Sequence, residues 1–468
     1  MTETLPPAPE GLAGTRKSGK NAAWLVLERL LHVLVAFVVS IVVARSLGKE
    51  DLGSLAIGLA FLLLVGSVIN PAVQCLLRDV IAKPADAGRL YAASSAAVAI
   101  VTTLFYLLMG AVIAATMGFD STTAIVILVV VGSALLRPFN VVDAWFKMEL
   151  QSRVAVQIRV AALLLTGAAR VALPLLGFSV VAVAWTYVIE AAVAGVGMWI
   201  AYRRMSDNQR WTVNFTRVRG TLKEFLPLLV TSSSALIYLR LDQAMVGWLS
   251  GLSEAGLFAI ASSMAEAPRF ALLALFLSVA PRLLKLKNSD PERYRTELIA
   301  VTKVLVLLGY LLTLGLIFIV APLAPVLLGP GFEDTSLIIV LLALPTPFVC
   351  IGGVLLFITN WDRLYREAIV RNAIGAVLSI GLNFALLPAY GAVGAAISSF
   401  VAYLWVFFLG AVFARRTRPF FWIGVSSLNP FATIVMLVHR RKKRAQVRQE
   451  RQELLAAFDE PSRPESKP

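Results

Sequence analysis

Five arginines, Arg29, Arg137, Arg170, Arg240 and Arg269, each interrupt a long apolar stretch, and so do four carboxylates, Glu28, Glu190, Asp242 and Glu266. A guanidinium keeps its charge in almost any surroundings and presents a fork of N–H donors that fits the oxygens of a phosphate or a carboxylate. In apolar surroundings such a set describes a polar path for an anion. The carboxylates offer a second chemistry. Asp242, Glu190, Glu266 and Glu28 could bind and release a proton or Na⁺ as their access to water changes, which makes them candidates for coupling to an ion gradient. The competing reading is local pairing: Glu266 and Arg269 stand three residues apart, Asp143 and Lys147 four, and Glu28 and His32 four, all on shared helical faces. Pairing of that kind leaves Arg137 and Arg170 with no acid close in sequence, which favours the path for the set as a whole.

The elements that position these groups follow from composition. The chain has 468 residues, of which 58% are hydrophobic and only 15% charged, with a mean hydropathy of +0.79. That lies outside the range of soluble domains. A bilayer core about 30 Å thick takes roughly 20 apolar residues per helical crossing, and windows of that length recur almost throughout. An ionisable side chain at that depth costs about 2.5 to 3.5 kcal/mol on insertion scales, so it normally faces a protein interior or a wet cavity. Arg137, Arg170, Glu190, Arg240, Asp242, Glu266 and Arg269 fall at mid-depth of their windows. Glu28, Arg29, His32, Arg159, Lys303, Arg371 and Asn372 fall nearer one end.

Twelve crossings are predicted: 22–46, 53–77, 91–117, 122–146, 154–176 and 179–202, then 224–248, 256–281, 297–320, 335–359, 367–387 and 391–414. This divides the chain into a leader (1–21), an N-terminal six-helix bundle (22–202), a connector (203–223), a C-terminal six-helix bundle (224–414) and a basic tail (415–468). The leader carries Arg16, Lys17 and Lys20 and runs into an apolar stretch too long for a signal-peptide core, so the first helix is expected to stay as an anchor. Basic residues concentrate in alternate loops, at Arg78, Lys83 and Arg89, Lys147 and Arg153, Arg203 to Lys223, Arg282 to Arg295, and Arg363 and Arg366. By the positive-inside rule these loops and both termini face the cytoplasm. The apolar stretch Phe420 to Val438 has basic flanks on both sides and Pro430 within it, which predicts an interfacial or re-entrant segment rather than a thirteenth crossing. Pro138, Pro227, Pro268, Pro345 and Pro347 mark bending points.

Several functions are excluded. The net charge of +15 is spread over loops and forms no recognition motif for nucleic acid. Cys75 and Cys350 are far apart and read as packing residues, not a redox pair or metal site. The loops are too short to hold a catalytic domain, and no Walker loop, HExxH or Gly-x-Ser-x-Gly is present, so neither an enzyme nor a cofactor is expected.

The two halves share motifs. Leu47 to Ile57 (LGKEDLGSLAI) aligns without a gap with Ser250 to Ile260 (SGLSEAGLFAI), pairing Gly48 with Gly251, Asp51 with Glu254 and Gly53 with Gly256. Leu173-Pro174 and Gly177 return as Leu387-Pro388 and Gly391. A six-helix unit copied once gives two parallel repeats meeting around a central cavity, the architecture of alternating access. The segment Ala44-Arg45-Ser46-Leu47-Gly48 through Gly53, Asp242-Gln243 with Gly251 and Gly256, and Asn383, Leu387-Pro388, Gly391 and Gly394-Ala395 resemble the corresponding motifs of bacterial polysaccharide flippases of the Wzx type. The resemblance spans about residues 20 to 415. It implies the fold of the multidrug/oligosaccharidyl-lipid/polysaccharide exporters, a place in the bacterial inner membrane, and movement of an undecaprenyl-diphosphate-linked sugar between leaflets. On that reading Arg29, Arg137, Arg170, Arg240 and Arg269 are the expected diphosphate contacts. The lipid bilayer, a coupling H⁺ or Na⁺, and a polysaccharide polymerase or glycosyltransferase are the expected partners. A cation-coupled multidrug exporter of the same superfamily is the alternative.

Overall fold

The computed structural model describes residues 12–66, 69–82, 86–116, 121–149, 151–206, 211–362, 364–436 and 439. All regular structure among them is helical. In chain order the helices are α1 (Leu12–Gly66), α2 (Ile69–Ala82), α3 (Ala87–Thr116), α4 (Thr122–Gly132), α5 (Asp143–Met148), α6 (Ser152–Leu175), α7 (Val180–Met205), α8 (Phe215–Leu249), α9 (Leu252–Glu266), α10 (Arg269–Ser289), α11 (Pro291–Gly315), α12 (Ala321–Leu328), α13 (Thr335–Ala343), α14 (Thr346–Trp361), α15 (Tyr365–Phe407) and α16 (Arg418–Ser427).

Glycine and proline breaks divide several of these helices. Gly48, at φ 83, divides α1 into two arms, and Gly391, at φ 53, does the same for α15. A side chain is strained at such angles, so glycine can make the corner without a loop. Pro138 sits in a 3-10 stretch, Ser133–Val142, that joins α4 to α5 within one crossing. Pro268 separates α9 from α10, and α13 meets α14 at 44° beside Pro345. By length and apolarity alone, six helices among the described residues qualify as spans, with Tyr365–Val412 counted once although Gly391 divides it. The tail forms the bent pair Arg418–Ser427 and Pro430–Met436, at 82°. A bend of that size fits a broken span as well as a re-entrant segment.

The repeated motifs make the same corners twice. Gly48 and Gly251 have φ of 83 and 95, and Gly177 and Gly391 have φ of 81 and 53. The largest apolar core runs across both halves, packing Val43, Leu52 and Leu55 of α1 with Leu257, Phe258 and Ile260 of α9. Membrane helices gain nothing from hiding apolar surface from lipid, so such contacts rest on close packing and small residues.

Candidate functional site

In the first half the ionisable groups form a connected ladder. Lys147 pairs with Asp143 at 2.7 Å, as the four-residue spacing predicts. Asp143 Oδ1 also accepts from Arg159 at 2.7 Å, and Arg159 grips Glu28 with Nε to Oε1 at 2.5 Å and Nη2 to Oε2 at 2.9 Å. Deeper in the bundle, Arg170 pairs with Glu190 at 2.6 Å and donates through Nε to Thr186 at 2.9 Å. The Thr166 hydroxyl donates to the same Glu190 oxygen at 3.2 Å, and His32 Nε2 lies 4.0 Å from the other. Arg170 is buried, and its guanidinium lies 3.6 Å above the face of the Tyr187 ring. Removing a charge from water is repaid only when its donors and acceptors are met, and here they are met by α1, α5, α6 and α7 together.

The second half solves the same problem differently. Asp242, on α8, is buried and accepts from Ser379 at 2.5 Å, Ser399 at 2.6 Å and Asn383 Nδ2 at 2.7 Å, all on α15. Its partners are neutral. Asn383 is itself fully buried, and its Oδ1 has no donor among the described residues. Gln243, next in sequence, donates to the Ala255 carbonyl at 2.7 Å and ties α8 to α9.

Two cavities bear on the site, one between the halves and one walled by the second half apart from Leu63. The first, about 220 Å³, is lined by Val39, Ser40, Val43, Leu52, Leu55, Ala56, Leu59, Ala60 and Leu63 of α1, by Tyr187 and Gln243, and by residues 259–263 of α9. The second, about 420 Å³, shares Leu63 and adds Glu266, Arg269, Thr346 and Tyr403 to a mainly apolar wall that includes Phe270, Leu273, Phe276, Leu305 and Leu356. Arg269 donates through Nε to Thr346 Oγ1 at 3.2 Å and through Nη2 to the Leu342 carbonyl, while Tyr403 donates to Glu266 at 3.1 Å. Arg269 and Glu266 therefore face one chamber.

The structure distributes the sequence candidates among three settings. Glu28, Glu190 and Arg170 belong to the first-half ladder. Arg170 has the acid partner that its immediate sequence lacks, because Glu190 comes from the next, antiparallel helix; it lies one layer behind Tyr187, not on the cavity wall. Asp242 sits in its neutral shell. Glu266 and Arg269 line the larger cavity. Arg137 stands apart, its guanidinium against Gly66, with no ion pair among the described residues. Arg29 and Arg240 lie outside the described side chains. Sequence reasoning passed over Thr166, Thr186, Tyr187, Thr346, Ser379, Ser399 and Tyr403, which have no local pattern to distinguish them from ordinary polar residues of a helix interior.

Residues 42–337, more than half of the chain, match the polysaccharide biosynthesis protein family. The chain belongs to that family. The match agrees with the resemblance to Wzx-type flippases carried by its repeated motifs. No curated protein matches. Among solved structures, the lipid II flippase MurJ in an inward closed conformation aligns with a TM-score of 0.65 at 15% identity, over 90% of this chain and 92% of that one. An inward-facing multidrug resistance MATE family transporter of the MOP superfamily gives 0.60 at 15% identity, over 83% and 95%. A MATE protein in complex with MaL6 gives 0.53 at 15%, over 86% and 96%. At such identity the likeness is one of fold. This member of the polysaccharide biosynthesis family is thus an all-α, multi-pass membrane protein with a flippase and exporter fold.

Proposed function

We propose that the chain moves an undecaprenyl-diphosphate-linked oligosaccharide across the bacterial inner membrane by alternating access, for export and assembly of a surface polysaccharide. The observation that carries this reading is the 420 Å³ cavity of the second half, closed on one side by Leu63 of the first, where Glu266, Arg269, Thr346 and Tyr403 interrupt an otherwise apolar wall. An amphiphile with an anionic head meets both of its needs there. Among the described residues Arg269 donates to a hydroxyl and a carbonyl and Arg137 makes no ion pair, so these two offer the diphosphate its readiest charge-assisted bonds. A phosphate reaching Arg170 has to exchange with Glu190. Arg29 and Arg240 complete the proposed set.

Asp242 is the preferred coupling group, ahead of Glu190, Glu266 and Glu28. Its carboxyl meets only neutral donors, and the bare Asn383 oxygen beside it suits a bound proton or Na⁺. The basic loops and tail support cytoplasmic termini, and the tail offers a surface for a polymerase or glycosyltransferase. The cation-coupled exporter reading rests on Glu266 and the largely apolar wall of the same cavity.

One experiment separates the two readings. Proteoliposomes containing the full chain are loaded with a labelled undecaprenyl-diphosphate oligosaccharide, and its appearance in the opposite leaflet is followed with and without a pH or Na⁺ gradient. Protein-dependent movement, lost in Arg269→Ala, is the expected result. Absence of movement together with efflux of an organic cation refutes the flippase reading and establishes the exporter.

A further inference from the structure

Glu266 and Arg269 stand three residues apart, and Ala267 and Pro268 between them keep right-handed helical angles. Opposite charges at that spacing attract each other on a helix, and more strongly in apolar surroundings than at a wet surface. They do not meet here. Among the described residues Arg269 makes no ion pair; its Nε donates to Thr346 Oγ1 at 3.2 Å and its Nη2 to the Leu342 carbonyl. Glu266 accepts from the Tyr403 hydroxyl at 3.1 Å. The Arg269 guanidinium carbon lies 5.8 Å from the centre of the Tyr403 ring, within the range of a cation–π contact.

The two hydroxyl residues are themselves held in place. Tyr403 is buried, packs in a core with Val406 and Val349, and has its ring 5.6 Å from that of Phe407. Thr346 is fully buried at the start of α14, beside the 44° bend. Ser399, about one turn before Tyr403 on α15, gives its hydroxyl to Asp242 in the same manner, at 2.6 Å. This arm of α15 therefore presents a row of hydroxyls, each meeting a carboxylate of another helix with a neutral donor. A neutral donor leaves the carboxylate its charge, whereas a guanidinium would cancel it.

We propose that Tyr403 and Thr346 are the charge separators of the 420 Å³ cavity, and that they set its specificity for a charged amphiphile. The inference rests on the reading of that cavity as the cargo site. Glu266, Arg269, Thr346 and Tyr403 all line it. With the hydroxyls in place, carboxylate and guanidinium each present a full charge there; fused into an ion pair they would present only a dipole. An anionic head that reaches Arg269 exchanges with a hydroxyl and a carbonyl, and the charge-assisted bonds it forms are stronger than those it replaces. Exchange with a carboxylate would bring no such gain.

Binding to the full chain in nanodiscs tests this with two probes, geranyl diphosphate as an anionic amphiphile and tetraphenylphosphonium as an apolar cation. The parental protein should bind geranyl diphosphate. Tyr403→Phe keeps the ring but releases Glu266 toward Arg269, and should weaken that binding about tenfold. In the double variant with Glu266→Gln, affinity should return to within about twofold of Glu266→Gln alone. A Tyr403 that only fills space would not be rescued by a change at Glu266. If the parental protein binds only tetraphenylphosphonium, the flippase reading fails and the separators are read on the carboxylate: Tyr403→Phe should weaken the cation about tenfold, and Arg269→Gln should repair the loss. An unchanged affinity in folded Tyr403→Phe for the probe that the parental protein binds, a loss that removal of the opposite charge does not repair, or binding of neither probe overturns the proposal. If Tyr403→Phe fails to fold, Thr346→Val, which releases Arg269 from its other side, decides by the same loss and the same rescue.

Discussion

Arg159 in the first half lies between Glu28 and Asp143, and Arg170 lies against Glu190, so these two cations each have an anion in contact. Asp242 in the second half has three neutral donors, and Arg269 bonds to a hydroxyl and a carbonyl. The two halves share repeated motifs, yet Arg159 and Arg170 of the first are matched by carboxylates while Asp242 and Arg269 of the second meet neutral groups among the described residues. A matched pair fixes geometry, because losing either member strands the other in a medium that cannot solvate it. An unmatched group can change its charge or accept a ligand without breaking a bond that holds helices together. The first half is built as a frame and the second as the part that responds.

That contrast can be broken by mutation. The largest effect is expected from Arg159→Met, which strips Glu28 of its cation and leaves Asp143 with Lys147 alone, and should destabilise the protein by about 3 kcal/mol, the low end for breaking a buried pair, because the site is partly open. Thermal unfolding of the purified protein in nanodiscs measures it, and a loss below 1 kcal/mol would remove the frame role. Arg269→Ala comes next. It should leave unfolding nearly unchanged but cut transport roughly 10- to 100-fold, as expected when a charged hydrogen-bonding group worth about 1.5 to 3 kcal/mol is deleted; Arg269→Lys should recover part of the rate. Asp242→Asn should keep the fold within about 1 kcal/mol while abolishing the response of transport to a pH or Na⁺ gradient. If its unfolding instead falls as far as that of Arg159→Met, the two halves do not differ in kind. The smallest change is Ser399→Ala, which removes one neutral donor from Asp242 and should cost about 1 kcal/mol while weakening, not eliminating, the gradient response.

Much of the framework could be read in advance where the physics is local. Asp143 and Lys147 meet because four residues make about one helical turn, and the tail bends at Pro430 as a proline in an apolar stretch predicts. The repeated Gly48 and Gly251 corners were visible as an alignment. Contacts between helices were not. Glu190 reaches Arg170 across a hairpin, and Ser379, Asn383 and Ser399 reach Asp242 from more than 130 residues away. A linear pattern records which face of a helix is polar but not which helix it faces. Gly53 and Gly256 show the same limit: alignment marks them as equivalent, and only packing makes them neighbours.

The neutral shell of Asp242 also has an electrical consequence. Ladder charges that cancel in pairs feel almost no net force from the membrane potential when their helices shift together. A lone carboxylate does feel it, at about 2.3 kcal/mol per elementary charge for each 100 mV that it traverses. If Asp242 moves through part of the field empty and returns with a cation bound, the two legs of the cycle differ in charge by one unit. Voltage then biases one leg and leaves the other untouched, so membrane potential, as well as ion concentration, sets the direction in which the second half rests.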